Sequence, residues 1–155
     1  MTVNYSQYYC ILPKVTYTLV EKGRNPLTPS YLQSRAVGSG TGGIYITFET
    51  ATAYAEKKDK LSHSVLYQIE CAGEIQILNL EQYCRENNIP PENCYSGEHS
   101  LKKEIHKFYG QGVPAMSWPS CQRPEGTSAV LLIDNIPNFK NYFRAIKVNT
   151  NLGNK

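Results

Sequence analysis

A basic residue, an aromatic residue and a carboxylate fall close together in this chain, spaced so that a turn, a strand and a helix would bring them to one ligand. They are Arg35, Tyr45 and Glu56, with Gly40 between the first two and the hydroxyl of Ser120 much farther along. A guanidinium is the group best shaped to fork onto a phosphate or pyrophosphate. A carboxylate beside a sugar hydrogen-bonds its hydroxyls and stabilises the cationic centre that grows as a glycosidic bond breaks. A tyrosine ring offers a flat face to a base. Glycines at 38, 40, 42 and 43 free the intervening backbone to approach such a ligand closely. Each residue also has a plainer reading: a solvated loop charge for Arg35, a solvated helix face for Glu56, a core strand position for Tyr45. Convergence of all of them with Ser120 would make an enzyme site.

The elements that must position these groups follow from periodicity. Lys14–Glu21 alternates and is β-branched, which predicts a strand. Residues 22–43 hold five glycines and two prolines and read as a long loop. Ile44–Phe48 is a second strand, and Thr50–Lys58 a helix with a polar start at Glu49 and Thr50 and alanines through its middle. Ser64–Cys71 and Glu74–Leu78, separated by Ala72-Gly73, read as a hairpin or two neighbouring strands. Asn79 is placed to cap a helix running to about Glu86. Ser100–Phe108 has helical spacing and should end at Gly110. Pro114–Trp118, Ser128–Ile133 and Tyr142–Val148 complete about seven strands, with a fraying tail over 149–155. Strands outnumber helices without strict βαβ order, which favours an α+β domain with a mixed or mostly antiparallel sheet.

Bulk properties narrow the function classes. At 155 residues the chain should be one domain. A formal charge of +3, spread thinly, does not suit a dedicated nucleic-acid surface. No run of 18 apolar residues exists, and the N-terminal segment lacks the basic start and apolar core of a signal peptide, so a cytoplasmic protein with no membrane partner is expected. The five cysteines show no C-x-x-C spacing and read as thiols in a reducing compartment; with only three histidines, no metal site is expected. The glycine cluster precedes a strand instead of following one, and G-K-S/T is missing, which excludes a dinucleotide fingerprint and a P-loop.

The spacing R-x4-G-x4-Y-x10-E resembles the RES-domain family, whose members read close to G-R-W/F-N-x-x-G-x-x-x-L/V-Y-L-A and then E-T-A-L-A-E. Here Arg35, Gly40, Ile44-Tyr45-Ile46 and Ala51–Glu56 fall in register without a gap. The family's third block, near Y-P-S-x-R-x-x-G before an apolar strand, is similar to Trp118-Pro119-Ser120, Arg123, Gly126 and Ala129–Ile133, with one extra residue between Ser120 and Arg123. The likeness spans about 14–148, taken as the core of a single RES-like domain.

This resemblance implies an ADP-ribosyltransferase-like fold with NAD held as substrate in a cleft of a split sheet. It further implies a toxin of a toxin–antitoxin pair that cleaves the nicotinamide–ribose bond, with water or phosphate as acceptor, and a helix-turn-helix antitoxin as partner. Carried over by position, Arg35 would bind the NAD phosphates, with Gly40 and Arg123 also in the binding set. Tyr45 would line the nicotinamide–ribose pocket, Glu56 would stabilise the ribosyl cation and Ser120 would hydrogen-bond the ligand. The family's aromatic-Asn after the arginine is Ala36-Val37 here. That departure supports one alternative, a catalytically weakened binding module; a second alternative is an ADP-ribosyltransferase acting on a protein.

Overall fold

The computed structural model describes residues 2–3, 7–13, 42–59, 64–71, 75–137, 139 and 143–149. Arg35, Gly40, the Lys14–Glu21 strand and nearly all of the 22–43 loop lie outside the described residues. Among those described, eight strands form one sheet: β1 (Thr2–Val3), β2 (Gln7–Pro13), β3 (Gly43–Thr47), β4 (Ser64–Cys71), β5 (Ile75–Asn79), β6 (Ala115–Pro119), β7 (Thr127–Leu132) and β8 (Phe143–Asn149). Three helices accompany them: α1 (Thr50–Glu56), α2 (Leu80–Glu86) and α3 (Glu98–Gly110). The architecture is the α+β class expected.

The strand order is β1-β5-β6-β7-β3-β2-β4-β8. Only β5 and β6 run parallel; the other neighbours are antiparallel. A parallel pair needs a long crossover, and α2 and α3 provide it. The sheet is split in the middle. β2 and β3 meet at the single register pair Tyr9↔Thr47, whereas β2 runs in register with β4 from Gln7↔Glu70 to Pro13↔Ser64. α1 packs against both β2 and β3, so it sits over this junction.

Two apolar clusters fill the molecule. Val65, Tyr67 and Ile69, alternating along β4, pack with Ile44, Ile46, Ile75, Ile77, Ala129 and Leu131. That cluster draws on both halves of the sheet, which therefore curls around it. On the other side Met116, Trp118, Val130 and Leu132 meet Leu80, Cys84, Leu101, Ile105 and Phe108 of the helices. Strands β6 and β7 are covered on both faces, which is why they read as nearly unbroken apolar runs.

Local signals act largely as their chemistry requires. Asn79 Oδ1 accepts the Gln82 backbone N–H at 3.1 Å and caps α2. Four expectations need correction. β4 and β5 are not a hairpin: they lie in opposite halves of the sheet, because β4 pairs with β2 and β8. Gly110 is the last residue of α3 rather than its terminator; the left-handed position is Gly112, at φ 82°, where a glycine carries no steric cost. The sheet also begins before residue 14, since β1 and β2 precede it. Finally, Cys84 and Cys94 form a disulfide between α2 and the 3-10 turn Pro91–Asn93, where free thiols were expected.

Candidate functional site

α1 forms because alanines at 51, 53 and 55 favour helix and Glu49 and Thr50 begin it with polar groups. Glu56 is its last residue. β7 starts with Thr127 and Ser128, and the turn from Ser120 to Gly126 links it to β6. Directly opposite residues of an antiparallel pair share a face. Thr47 faces Ser128, Tyr45 faces Val130, and Trp118 faces Ser128 from the other side. Tyr45, Thr47, Ser128 and Trp118 thus lie on one face of the sheet, with Ile44 and Ile46 on the other.

Glu56 comes down onto this face. Ser120 Oγ donates to its Oε1 at 2.9 Å, and Ser128 Oγ donates to the same oxygen at 2.7 Å. Ser120 is 1% exposed and Ser128 5%, so the two hydroxyls are shielded from water, while Glu56 itself is half-buried. The Ser120 Oγ also accepts the backbone N–H groups of Gln122 and Arg123, each at 3.2 Å. A serine oxygen has two lone pairs and one proton. Both lone pairs are engaged, so the proton is left to point at Glu56.

A second carboxylate, Glu49, fixes the turn that carries Ser120. Its Oε1 accepts from Thr52 Oγ1 at 2.5 Å and from the Thr127 backbone N–H at 3.0 Å. Arg123 Nη1 donates to Thr52 Oγ1 at 3.0 Å and lies 3.7 Å from Glu49 Oε1. Gly126 closes the arrangement. A β-carbon there would overlap Thr52 Oγ1 and come within 2.7 Å of Arg123 Nη1 and 2.8 Å of Glu49 Oε1. Thr47 Oγ1 adds a bond to the Glu49 carbonyl at 3.0 Å. α1 and the 120–127 turn are thereby held together by charge-assisted bonds at both ends.

Of the sequence candidates, Glu56 and Ser120 are brought into direct contact across 64 positions of chain. Tyr45 lies on the same sheet face as Ser128 and is 37% exposed. Arg123 is in the adjoining network, with Nη1 committed to Thr52 and Glu49. Ser128, Glu49 and Thr52 were not singled out from the sequence. The one available signal was a polar residue opening the apolar run Ala129–Ile133. Among the described residues no group of three or more His, Cys, Asp or Glu is arranged to hold a metal, and no helix is long and apolar enough to cross a membrane.

No family model and no curated protein matches the chain. Its fold is similar to that of a chain in the crystal structure of the M. tuberculosis MbcT–MbcA toxin–antitoxin complex, with a TM-score of 0.69. The likeness covers 96% of this chain and 85% of that one at 11% sequence identity. At that identity the common ground is the fold.

Proposed function

We propose that this chain is an NAD-consuming enzyme that cleaves the nicotinamide–ribose bond, with water or phosphate as acceptor, and acts as the toxin of a toxin–antitoxin pair in the cytoplasm. The observation that carries the reading is the Ser120–Glu56 hydrogen bond at 2.9 Å, which joins two blocks far apart in the chain. The resemblance of those blocks to the RES pattern and the likeness in fold to a chain of a toxin–antitoxin complex support it from independent directions.

The chemistry suits a single working carboxylate. The nicotinamide ring nitrogen is cationic in NAD, so nicotinamide leaves as a neutral base, taking both electrons of the C–N bond and needing no acid. Positive charge develops on the ribose, and Glu56 is placed to stabilise it. Water then adds to the anomeric carbon and loses a proton, giving ADP-ribose; phosphate in its place gives the 1-phosphate. Glu49 is tied to Thr52, Thr127 and Arg123 and is not needed as a second acid or base. Tyr45 contributes a wall of the nicotinamide–ribose pocket, and Arg35 with Gly40 receives the pyrophosphate. Arg123 and Ser120 complete the binding set by holding the 120–127 turn in place. An antitoxin protein, of helix-turn-helix type by the family resemblance, is the expected partner.

The test is nicotinamide release from NAD by the purified chain, with and without phosphate, beside Glu56→Ala and Arg35→Ala. Release by the parent that collapses in both variants supports the reading. A parent that releases no nicotinamide at high enzyme concentration overturns it and favours the binding-module alternative suggested by Ala36-Val37. Labelled protein without free ADP-ribose would make the chain a transferase.

A further inference from the structure

We infer that Ser128, a residue outside the Arg–Glu–Ser pattern, is a positioning residue of this site and acts through Glu56. The inference rests on the proposed NAD chemistry for its activity readout, but its geometry stands apart from it. Two hydroxyls converge on Glu56 Oε1: Ser120 Oγ at 2.9 Å and Ser128 Oγ at 2.7 Å. They come from different kinds of backbone. Ser120 belongs to a turn, held by the Gln122 and Arg123 N–H groups and by the Glu49 network. Ser128 belongs to β7, with Thr47 opposite on one side and Trp118 on the other, and it is 5% exposed.

The consequence is geometric. A glutamate has three side-chain torsions, and one hydrogen bond leaves the carboxylate free to swing about it. Two donors on one oxygen, one from a turn and one from a strand, define both its place and the plane of the group. Among the described residues both of these hydrogen bonds fall on Oε1, which leaves Oε2 for a ligand. A carboxylate solvated by water would have to reorganise as charge develops on the sugar. One held by buried hydroxyl dipoles is already arranged. Ser128 therefore contributes to the step in which charge forms, not to ground-state binding.

Ser128→Ala removes the hydroxyl at almost constant volume, and Ser128→Thr keeps it on a side chain that suits a strand. Ser128→Ala is expected to lower kcat for nicotinamide release by roughly tenfold with KM little changed, as for an interaction made mainly in the transition state. Ser128→Thr should recover most of that loss. Unchanged kcat in Ser128→Ala, or a loss confined to KM, overturns the inference. A second measurement needs no substrate: a double-mutant cycle of Ser128→Ala and Glu56→Ala in thermal unfolding, where clearly non-additive shifts are expected. Additive shifts overturn the positioning role whatever the substrate is. A parent chain inert towards NAD would sink the proposed reaction alone and leave the cycle to decide the role of Ser128.

Discussion

Two regions of the sheet face that carries the helices are built on opposite principles. Under α2 and α3 the contacts are apolar: Leu80, Leu101, Ile105 and Phe108 on Met116, Val130 and Leu132, closed by the Cys84–Cys94 disulfide. Under the end of α1, a few residues along the same strands, the buried groups are Thr47, Thr52, Ser120 and Ser128, all hydrogen-bonded. Apolar packing is non-directional and tolerates small displacements. Hydrogen bonds to a carboxylate do not, since their strength falls steeply with angle. The contrast assigns stability mainly to the helical region and geometric definition to the α1 corner.

The largest effect that would sharpen this contrast is in the helical layer. Leu101→Ala, at a fully buried position, should lower unfolding stability by about 2–5 kcal/mol. The folded fraction should keep its nicotinamide-release rate, as checked by urea unfolding beside kinetics. A specific rate that fell in parallel with stability would break the division of labour. Glu56→Gln should do the reverse, with a melting temperature near that of the parent and a fall in kcat of roughly 10²–10³-fold, the scale for a preorganised electrostatic contact.

Gly126→Ala tests the link between packing and geometry. The new β-carbon collides with Thr52 Oγ1 and crowds Glu49 Oε1, so the 120–127 turn must shift away from α1. About 1–3 kcal/mol of destabilisation is expected, together with a kcat loss out of proportion to it because Ser120 moves with the turn. Full activity in this variant would show that the Glu49 clamp does not set the Ser120–Glu56 contact.

The smallest effect is alkaline and belongs to the helical region. Lys107 has its ammonium held above the usual lysine value, first by its hydrogen bond with Tyr83; burial opposes this, and the nearby Glu104 adds a lesser upward effect. Tyr95 is raised by burial of its phenol and by the nearby Glu81, partly offset by Arg85. Both groups bind their protons more tightly folded than unfolded. Their contribution is thus complete below the ordinary values near 10 and is lost as pH rises through the folded ones. Thermal unfolding between pH 9 and 12 should show this decline, and it should be smaller in Lys107→Met. Lys107 is largely exposed, so solvent screening keeps the effect small.

Much of the fold was legible in the chain, and for identifiable reasons. Ser64–Cys71 alternates cleanly because one face packs on the core, and it is a strand over that same span. Asn79 caps α2 because side-chain capping is a local interaction, readable from a few neighbours. The neighbour relation of β4 and β5 was not legible, because a short turn between strands permits a hairpin but does not compel one. In this protein β5 is taken by β1 and β6 instead.

The sequence by itself determined the residue types of the site and their order: a carboxylate closing an alanine-rich helix, an aromatic in the strand before it, a serine after Trp118-Pro119. It did so because helix and strand periodicities, and the spacing of Tyr45 from Glu56, are properties of short stretches. Only the tertiary structure decided that Ser120 reaches Glu56, that Ser128 joins it on the same oxygen, and that Glu49 and Arg123 hold the turn. Those contacts depend on the register of β3, β7 and β6. Register is fixed by packing over whole strands, and a shift of one residue would turn Ser128 to the opposite face.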